Sequence, residues 1–268
     1  MATRTFVFDL DGVVYRGDVP IPGAVTTIST LRQLGQQVYF FTNNATKTRN
    51  SFVEKLARMN VPTDEEHVMT SAYATALYLQ QHGAEGKRAY VVGESGLRTE
   101  LKAVGIILID NPLDEHADYV VAGLDRQFDY DKLNKAQQAI FRGAKFIATN
   151  TDSTLPVEEG VLAPGGGSIV GAIQIASGVE PFVIGKPKLP ALHELMKMAK
   201  ASPHDTIMIG DRLDTDILVG NLAKTVTVFV LTGISTRDDL NTAHADMQPD
   251  YVVEDLTEIL ANGEIMGK

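Results

Sequence analysis

No cysteine occurs among the 268 residues, so disulfides, thiolate zinc sites and cysteine nucleophiles are all excluded. Positive charge is the next shortage. Against 34 acidic residues stand 24 basic ones, for a formal net charge of −10. That balance argues against a protein that binds nucleic acid or an anionic membrane surface, though it leaves room for a local basic pocket. The apolar runs are no longer than a strand, so no membrane-spanning helix is expected, and the chain enters a strand pattern almost at once with no signal-peptide character. The six histidines show no metal-ligand spacing, and no repeat, heptad or low-complexity tract stands out. What remains is a chain long enough for one large or two smaller domains. The expectation is a cytoplasmic enzyme with neither a nucleic-acid nor a membrane partner.

The stretch that is most informative comes first. Phe6-Val7-Phe8 suits a buried parallel strand and runs directly into Asp9-Leu10-Asp11-Gly12-Val13. In a strand the two acids would point to opposite faces, but where the strand breaks into a loop both can be aimed at one point. Ionised carboxylates at a sheet end repel each other and lose hydration, so a cation or a chemical role is the natural reason to keep them there.

The same design recurs along the chain. Val25, Ile28, Leu31 and Leu34 follow at helical spacing and stop at Gly35; Val38-Tyr39-Phe40-Phe41 is again strand-like and ends in Thr42-Asn43-Asn44. Helices are predicted around Phe52, Leu56 and Met59 and from about Ser71 to His82. Strand-helix alternation of this kind implies a parallel sheet with its functional loops at the carboxyl ends of the strands. From about Gly83 the alternation changes character, with strands at 89–92, 106–109, 119–122 and 146–149, helices near 97–104 and 131–142, and a proline- and glycine-rich passage from Pro156 to Gly167 before a further helix. The reading is an α/β chain in which residues 83–180 form a second α/β domain inserted into a first one made of 1–82 and 181–268. The first domain resumes with Phe182-Val183-Ile184 before Gly185-Lys186-Pro187, then a helix through Leu189, Leu192, Leu195 and Ala199. The strand Thr206-Ile207-Met208-Ile209 ends in Gly210-Asp211-Arg212-Leu213-Asp214-Thr215-Asp216, and two more strands follow near 226–231 and 251–253.

Four strand ends thus offer Asp9 and Asp11, Thr42 and Asn43, Lys186, and Asp211 with Asp216. A parallel sheet brings its strand ends to one edge, so residues far apart in sequence can share a site. Oxygen ligands without histidine or cysteine suit a hard cation, Mg²⁺ before others. Lysine, hydroxyl and turn N–H donors suit the oxygens of a phosphoryl group. A carboxylate beside bound phosphate can attack it, and a neighbouring carboxyl can protonate the leaving alcohol. The residues by themselves point to phosphoryl transfer.

The ordered set Asp9-Leu10-Asp11-Gly12-Val13, Phe41-Thr42-Asn43-Asn44, Gly185-Lys186-Pro187 and Gly210-Asp211-Arg212-Leu213-Asp214-Thr215-Asp216 resembles the four motifs of the haloacid-dehalogenase-like phosphatases. The insertion resembles the larger α/β cap of the branch that contains the NagD-type and 4-nitrophenyl phosphatases. Gly123-Leu124-Asp125, Ala148-Thr149-Asn150-Thr151-Asp152 and Pro164-Gly165-Gly166-Gly167 look like cap segments of that branch. The resemblance covers essentially the whole chain. It implies a Rossmann-like parallel-sheet core with an inserted cap and a Mg²⁺-dependent phosphomonoesterase for small phosphorylated metabolites. It further implies that Asp9 is the nucleophile, and that Asp11 is general acid and then general base, with its backbone carbonyl on the metal. Thr42 would hold a phosphate oxygen, with the backbone around Asn43 and the Gly12 turn assisting, while Lys186 would pair with the phosphate and steady Asp9. Asp211 would be the other direct carboxylate ligand, and Asp216 an outer partner of the metal. Family members that act on carbon–halogen bonds lack an aspartate at the position of Asp11, so its presence favours phosphate esters.

Asn150 and Asp152, at the end of a cap strand, are expected to face the substrate. Asp214 is assigned to solvent or helix capping, and Gly165-Gly166-Gly167-Ser168 is read as a cap loop with Ser168 as N-cap, because it lacks the Lys-Ser/Thr ending of a nucleotide-binding loop. A homodimer formed through the cap is expected by resemblance. Two other functions use similar parts. A phosphotransferase or phosphomutase shares the covalent step and differs in the final acceptor; a receiver-like signalling module shares a Mg²⁺ site and a phospho-accepting aspartate. The Asp9/Asp11 pair and the large insertion argue against the receiver.

Overall fold

The computed structural model describes residues 3–156 and 162–263. Residues 157–161 of the proline- and glycine-rich passage lie outside the described residues. In chain order the elements are β1 (Thr5–Phe8), β2 (Tyr15–Arg16), β3 (Val19–Pro20), α1 (Ala24–Gln33), β4 (Gln37–Thr42), α2 (Arg49–Arg58), β5 (Val68–Thr70) and α3 (Ser71–Gln81). Then come β6 (Arg88–Val92), α4 (Ser95–Ala103), β7 (Ile107–Ile109), β8 (Tyr119–Ala122), α5 (Tyr130–Phe141), β9 (Lys145–Ala148), β10 (Thr154–Pro156), β11 (Leu162–Pro164), α6 (Gly166–Ser177) and β12 (Phe182–Val183). The chain ends with α7 (Leu189–Ala199), β13 (Thr206–Gly210), α8 (Leu218–Leu222), β14 (Val226–Val230), α9 (Arg237–Thr242) and β15 (Tyr251–Val253). Two compact units result, one of residues 1–42, 50–69 and 192–268, the other of 43–49 and 70–191.

The first unit is built on a six-stranded sheet of order β15-β14-β13-β1-β4-β5. Its pairs β1–β4, β1–β13, β13–β14 and β14–β15 are all parallel. Phe6, Phe8, Phe40, Ile207, Ile209 and Val228 on the strands pack with Ile28 and Leu31 of α1 and Leu56 of α2 in one buried cluster. The strands are buried on both faces, which explains their continuous apolar runs. The order reverses beside β1: the chain adds β4 and β5 on one side, leaves, and returns to add β13, β14 and β15 on the other. In an open parallel sheet such a switch point opens a crevice at the carboxyl ends of the two central strands, here β1 and β13.

The second unit carries a five-stranded parallel sheet of order β12-β9-β8-β6-β7. Tyr90, Val92, Val120, Ala122, Phe146 and Ala148 meet Ala136 and Ile140 of α5 and Ile169, Val170 and Ile173 of α6. The α/β alternation of both units and the parallel sheet of the first are thus as the sequence pattern predicts.

Several local expectations change. Phe182–Val183 pairs with β9, Phe182 against Ile147, so this strand edges the second sheet instead of resuming the first. The compact units meet along the chain at 42/43, 49/50, 69/70 and 191/192. The loop 43–49 clusters with α4, whose first amides donate to its carbonyls (Gly96 N to Thr46 O, 3.1 Å; Leu97 N to Ala45 O, 3.0 Å). Leu34 is the exposed C-cap of α1 and does not join its buried face. Gly165, not Ser168, occupies the N-cap of α6, and Ser168 Oγ instead faces Ser153 O at 3.4 Å. The short pairs β2–β3 and β10–β11 are too brief to show a period in the sequence.

Candidate active site

The register of the first sheet places the first two acids. Phe8 of β1 lies opposite Ile209 of β13, and Asp9 N extends the ladder by donating to Ile209 O at 2.9 Å. Asp9 and Asp211 therefore each follow their strands at the same edge, at the switch point. A single turn of π-helix over Leu213–Ile217 then carries Asp216 back to them. Its Oδ2 accepts from Arg212 N at 3.1 Å, and its own N donates to Arg212 O at 3.0 Å. One carboxylate oxygen from each of Asp9, Asp211 and Asp216 lies within 4.8 Å of the others. Their exposures are 8%, 1% and 1%, so three acids are gathered almost out of water.

Glycines make the room. A β-carbon on Gly12, whose φ is +86°, would stand 2.5 Å from Asp211 Oδ2, and one on Gly210 would overlap the Asp216 side chain. Asp211 Oδ2 also accepts from Ile234 N at 2.7 Å, and Asp211 O accepts from Ser235 N at 3.1 Å. The segment 233–235 after β14 was not singled out in the sequence; its signal is a Thr-Gly step at a parallel strand end.

The carboxylate of Asp11 is not part of the three-acid cluster. Its Oδ2 faces Tyr15 OH at 3.5 Å, and the turn between them is held by Gly12 N to Tyr15 O at 2.9 Å and Thr232 Oγ1 to Gly12 O at 2.6 Å. Burial, with Asp11 and Asp9 adding their negative charge, pushes the Tyr15 phenol well above its ordinary range, so it stays a neutral donor. Lys55 Nζ sits 3.7 Å over its ring. Thr42 ends β4 and is buried. Asp214 pairs with Arg212 through two contacts of 3.1 and 3.0 Å, on the outside of the turn.

In the second unit Asn43, Asn150, Asp152 and Lys186 form one hydrogen-bonded group. Asn43 Oδ1 accepts from Lys186 N at 2.9 Å, and Nδ2 donates to Lys186 O at 2.9 Å and to the two Asp152 carboxylate oxygens at 3.0 and 3.1 Å. The backbone O of Asn43 accepts from Asn150 Nδ2 at 2.7 Å and from Ser71 Oγ at 2.6 Å. Asn150 Oδ1 in turn accepts from Asp152 N at 3.1 Å.

Three buried carboxylates with oxygen donors alone fit a hard divalent cation, because their mutual repulsion and lost hydration require a compensating charge. With that cation held by few protein ligands, positions stay open for water and a phosphate oxygen.

Comparison with known proteins agrees with this chemistry. The haloacid dehalogenase-like hydrolase family model matches residues 6–107 and a HAD-hydrolase-like model matches 183–259. An acid sugar phosphatase of Staphylococcus aureus is 38% identical over 261 residues, 97% of this chain and 98% of that protein. The glycerol phosphate phosphatase Rv1692 of Mycobacterium tuberculosis, solved with magnesium, is 35% identical, with 96% of this chain and 76% of that one covered at a TM-score of 0.88; it has also been solved with calcium. NagD of Escherichia coli K-12 is 32% identical, with 97% and 99% covered and a TM-score of 0.86. On its motifs, its sheet and these relatives, the chain belongs to the haloacid dehalogenase-like hydrolases, in their NagD-like branch of phosphatases.

Proposed function

We propose that the chain is a cytoplasmic, Mg²⁺-dependent phosphomonoesterase for small phosphorylated metabolites, and that it works through an aspartyl-phosphate on Asp9. The observation that carries the reading is the buried cluster of Asp9, Asp211 and Asp216 at the switch point, with Asp11 one turn away and outside it. Bound there, Mg²⁺ would neutralise the cluster and polarise the phosphoryl group. Asp211 and Asp9 would ligate it through their carboxylates, Asp11 through its backbone carbonyl, and Asp216 from just outside.

In the first step an Asp9 carboxylate oxygen attacks phosphorus, the bond from phosphorus to the substrate oxygen breaks, and the Asp11 proton passes to the leaving alcohol. In the second, Asp11 as carboxylate takes a proton from water, the water oxygen attacks phosphorus, and the Asp9–phosphorus link breaks to release phosphate. Thr42 and backbone N–H groups near Gly12 and Asn43 would hold phosphate oxygens, and Lys186 would balance their charge. Residues 83–180 are proposed as the cap that selects the substrate and forms a homodimer. Sugar phosphates and glycerol phosphate lead the candidate substrates, since relatives carry those names.

The test is hydrolysis of an aryl phosphate followed by a panel of phosphorylated metabolites, with Mg²⁺ and with chelator. Activity requires Mg²⁺, and Asp9→Asn abolishes it; turnover that survives in either condition refutes the nucleophile or the metal assignment.

A further inference from the structure

Asn43 follows Thr42 directly, and a phosphate-binding role for its side chain would need free hydrogen-bonding capacity. A carboxamide has two N–H donors and one carbonyl oxygen. Here both donors are spent, one on Lys186 O and one shared between the Asp152 oxygens. The carbonyl oxygen takes Lys186 N. The side chain thus grips both backbone groups of a single residue, as a neighbouring strand would. Its orientation is fixed as well. A flipped amide would set its oxygen against the Asp152 carboxylate and the Lys186 carbonyl and its N–H₂ against an N–H, so only one rotamer satisfies the network.

The surroundings are built for this grip. Gly185 N donates to Thr149 O at 2.8 Å, and a β-carbon on Gly185 would stand 2.6 Å from Asn43 Oδ1. Glycine is thus required for the clamp to reach the next residue. Asn150 holds the Asn43 carbonyl with one end and shapes the turn that presents Asp152 with the other. Asn43, Asn150 and Lys186 are 8%, 4% and 2% exposed, so each of these bonds counts in a dry setting.

We infer that Asn43 is a positioning residue for Lys186. Its carboxamide clamps the lysine backbone, and Asp152 and Asn150 orient that carboxamide instead of contacting the phosphate. The expected substrate-facing roles of the Asn150 and Asp152 side chains are replaced by this one. The inference rests on the charge-balancing role proposed above for Lys186, and it assigns the Asn43 side chain and the Asn150-x-Asp152 segment to one device.

A double-mutant cycle on the full chain, with an aryl phosphate and Mg²⁺, tests it. Asn43→Asp replaces the Nδ2 donor by an oxygen that repels Asp152 and Lys186 O, and it should lower kcat by about 10²-fold, the cost of a small misplacement of a catalytic group, with little change in KM. In the Lys186→Met background the same change should cost almost nothing, because its effect runs through Lys186. Losses that multiply would mean that Asn43 acts on the substrate by itself and overturn the inference. Wild-type turnover in Lys186→Met alone would instead remove Lys186 from the mechanism, a distinct outcome. A second pair does not depend on Asn43 variants folding. Asp152→Asn keeps an oxygen acceptor for Asn43 Nδ2 and should retain far more activity than Asp152→Ala; equal losses would show that the Asp152 charge matters for another reason and reject the clamp. A readout without catalysis is amide exchange at Lys186, which should quicken in Asn43→Ala; a rate unchanged from wild type would show that the clamp is not formed in solution and overturn the inference.

Discussion

Gly233 and Asp211 are packed so closely that a β-carbon on the glycine would overlap the carboxylate at Oδ2, the oxygen that also receives Ile234 N at 2.7 Å. The carboxylate is therefore held from the loop after β14 as well as from its own strand. Gly233→Ala should push Asp211 out of the three-acid cluster. Because groups that orient a ligand are worth about 10–100-fold in metal affinity or activity, the Mg²⁺ concentration for half-maximal activity should rise by that order. An unchanged Mg²⁺ titration would show that the loop gives way and the carboxylate does not.

The cluster of Asp9, Asp211 and Asp216 should cost stability whenever it lacks a cation, since three buried like charges repel. Asp216→Asn removes one of them. In chelator the variant should melt above the wild type, and on adding Mg²⁺ the wild type should gain more. In a chain of this size 1 kcal/mol corresponds to about 2–4 °C, so the crossing is measurable by a thermal melt. A variant less stable in both conditions would argue that Asp216 serves the π-turn and not the cation.

Asp11 stands apart from the cluster and is only half-buried, with Tyr15 OH at 3.5 Å from it. Its loss should harm chemistry far more than folding. Asp11→Asn is expected to lower kcat by about 10²–10⁴-fold, the usual worth of general acid–base assistance, with a melting temperature close to wild type. A large drop in stability, or full activity, would each contradict the assignment.

The alkaline limit of the second unit should depend on Tyr90. Burial first, and then the charges of Asp131, Asp129 and Asp125, push its phenol up to about 12. A phenol whose value in the folded chain lies above its unfolded value of about 10 contributes stability that is complete below the unfolded value and is lost as pH rises through the folded one. Between those two values wild type should lose stability with rising pH, whereas Tyr90→Phe should show a flatter dependence. Parallel urea melts at successive pH values measure it; identical slopes would place the loss elsewhere.

Most of the architecture was legible because apolar runs and helical spacing are local. Phe6-Val7-Phe8, Val38 to Phe41 and Thr206 to Ile209 each read as buried strands, and each is one. The failures were equally physical. Phe182–Val183 has the composition of any short strand, and only its pairing with β9 tells which sheet it joins. Ser168 looked like a helix cap, yet α6 starts earlier, after Gly165 and on two further glycines; a β-carbon on Gly165 would collide with Asp152 O and one on Gly167 with Thr151 O. The sequence offers only the position of Asn43 after Thr42, whereas the partners of its side chain lie 109 and 143 residues away.

The sequence by itself determined the kinds of groups available: acids, a hydroxyl, an amide and a lysine at strand ends, with no cysteine and no paired histidines to suggest other chemistry. Only the tertiary structure decided which of them meet. Parallel register sets Asp9 beside Asp211, a π-turn brings Asp216 back to both, and the Asp11 carboxylate is left outside that cluster. The Asn43 amide is spent on Lys186 and Asp152. Such choices depend on strand order and on distances between residues remote along the chain, which no local pattern encodes.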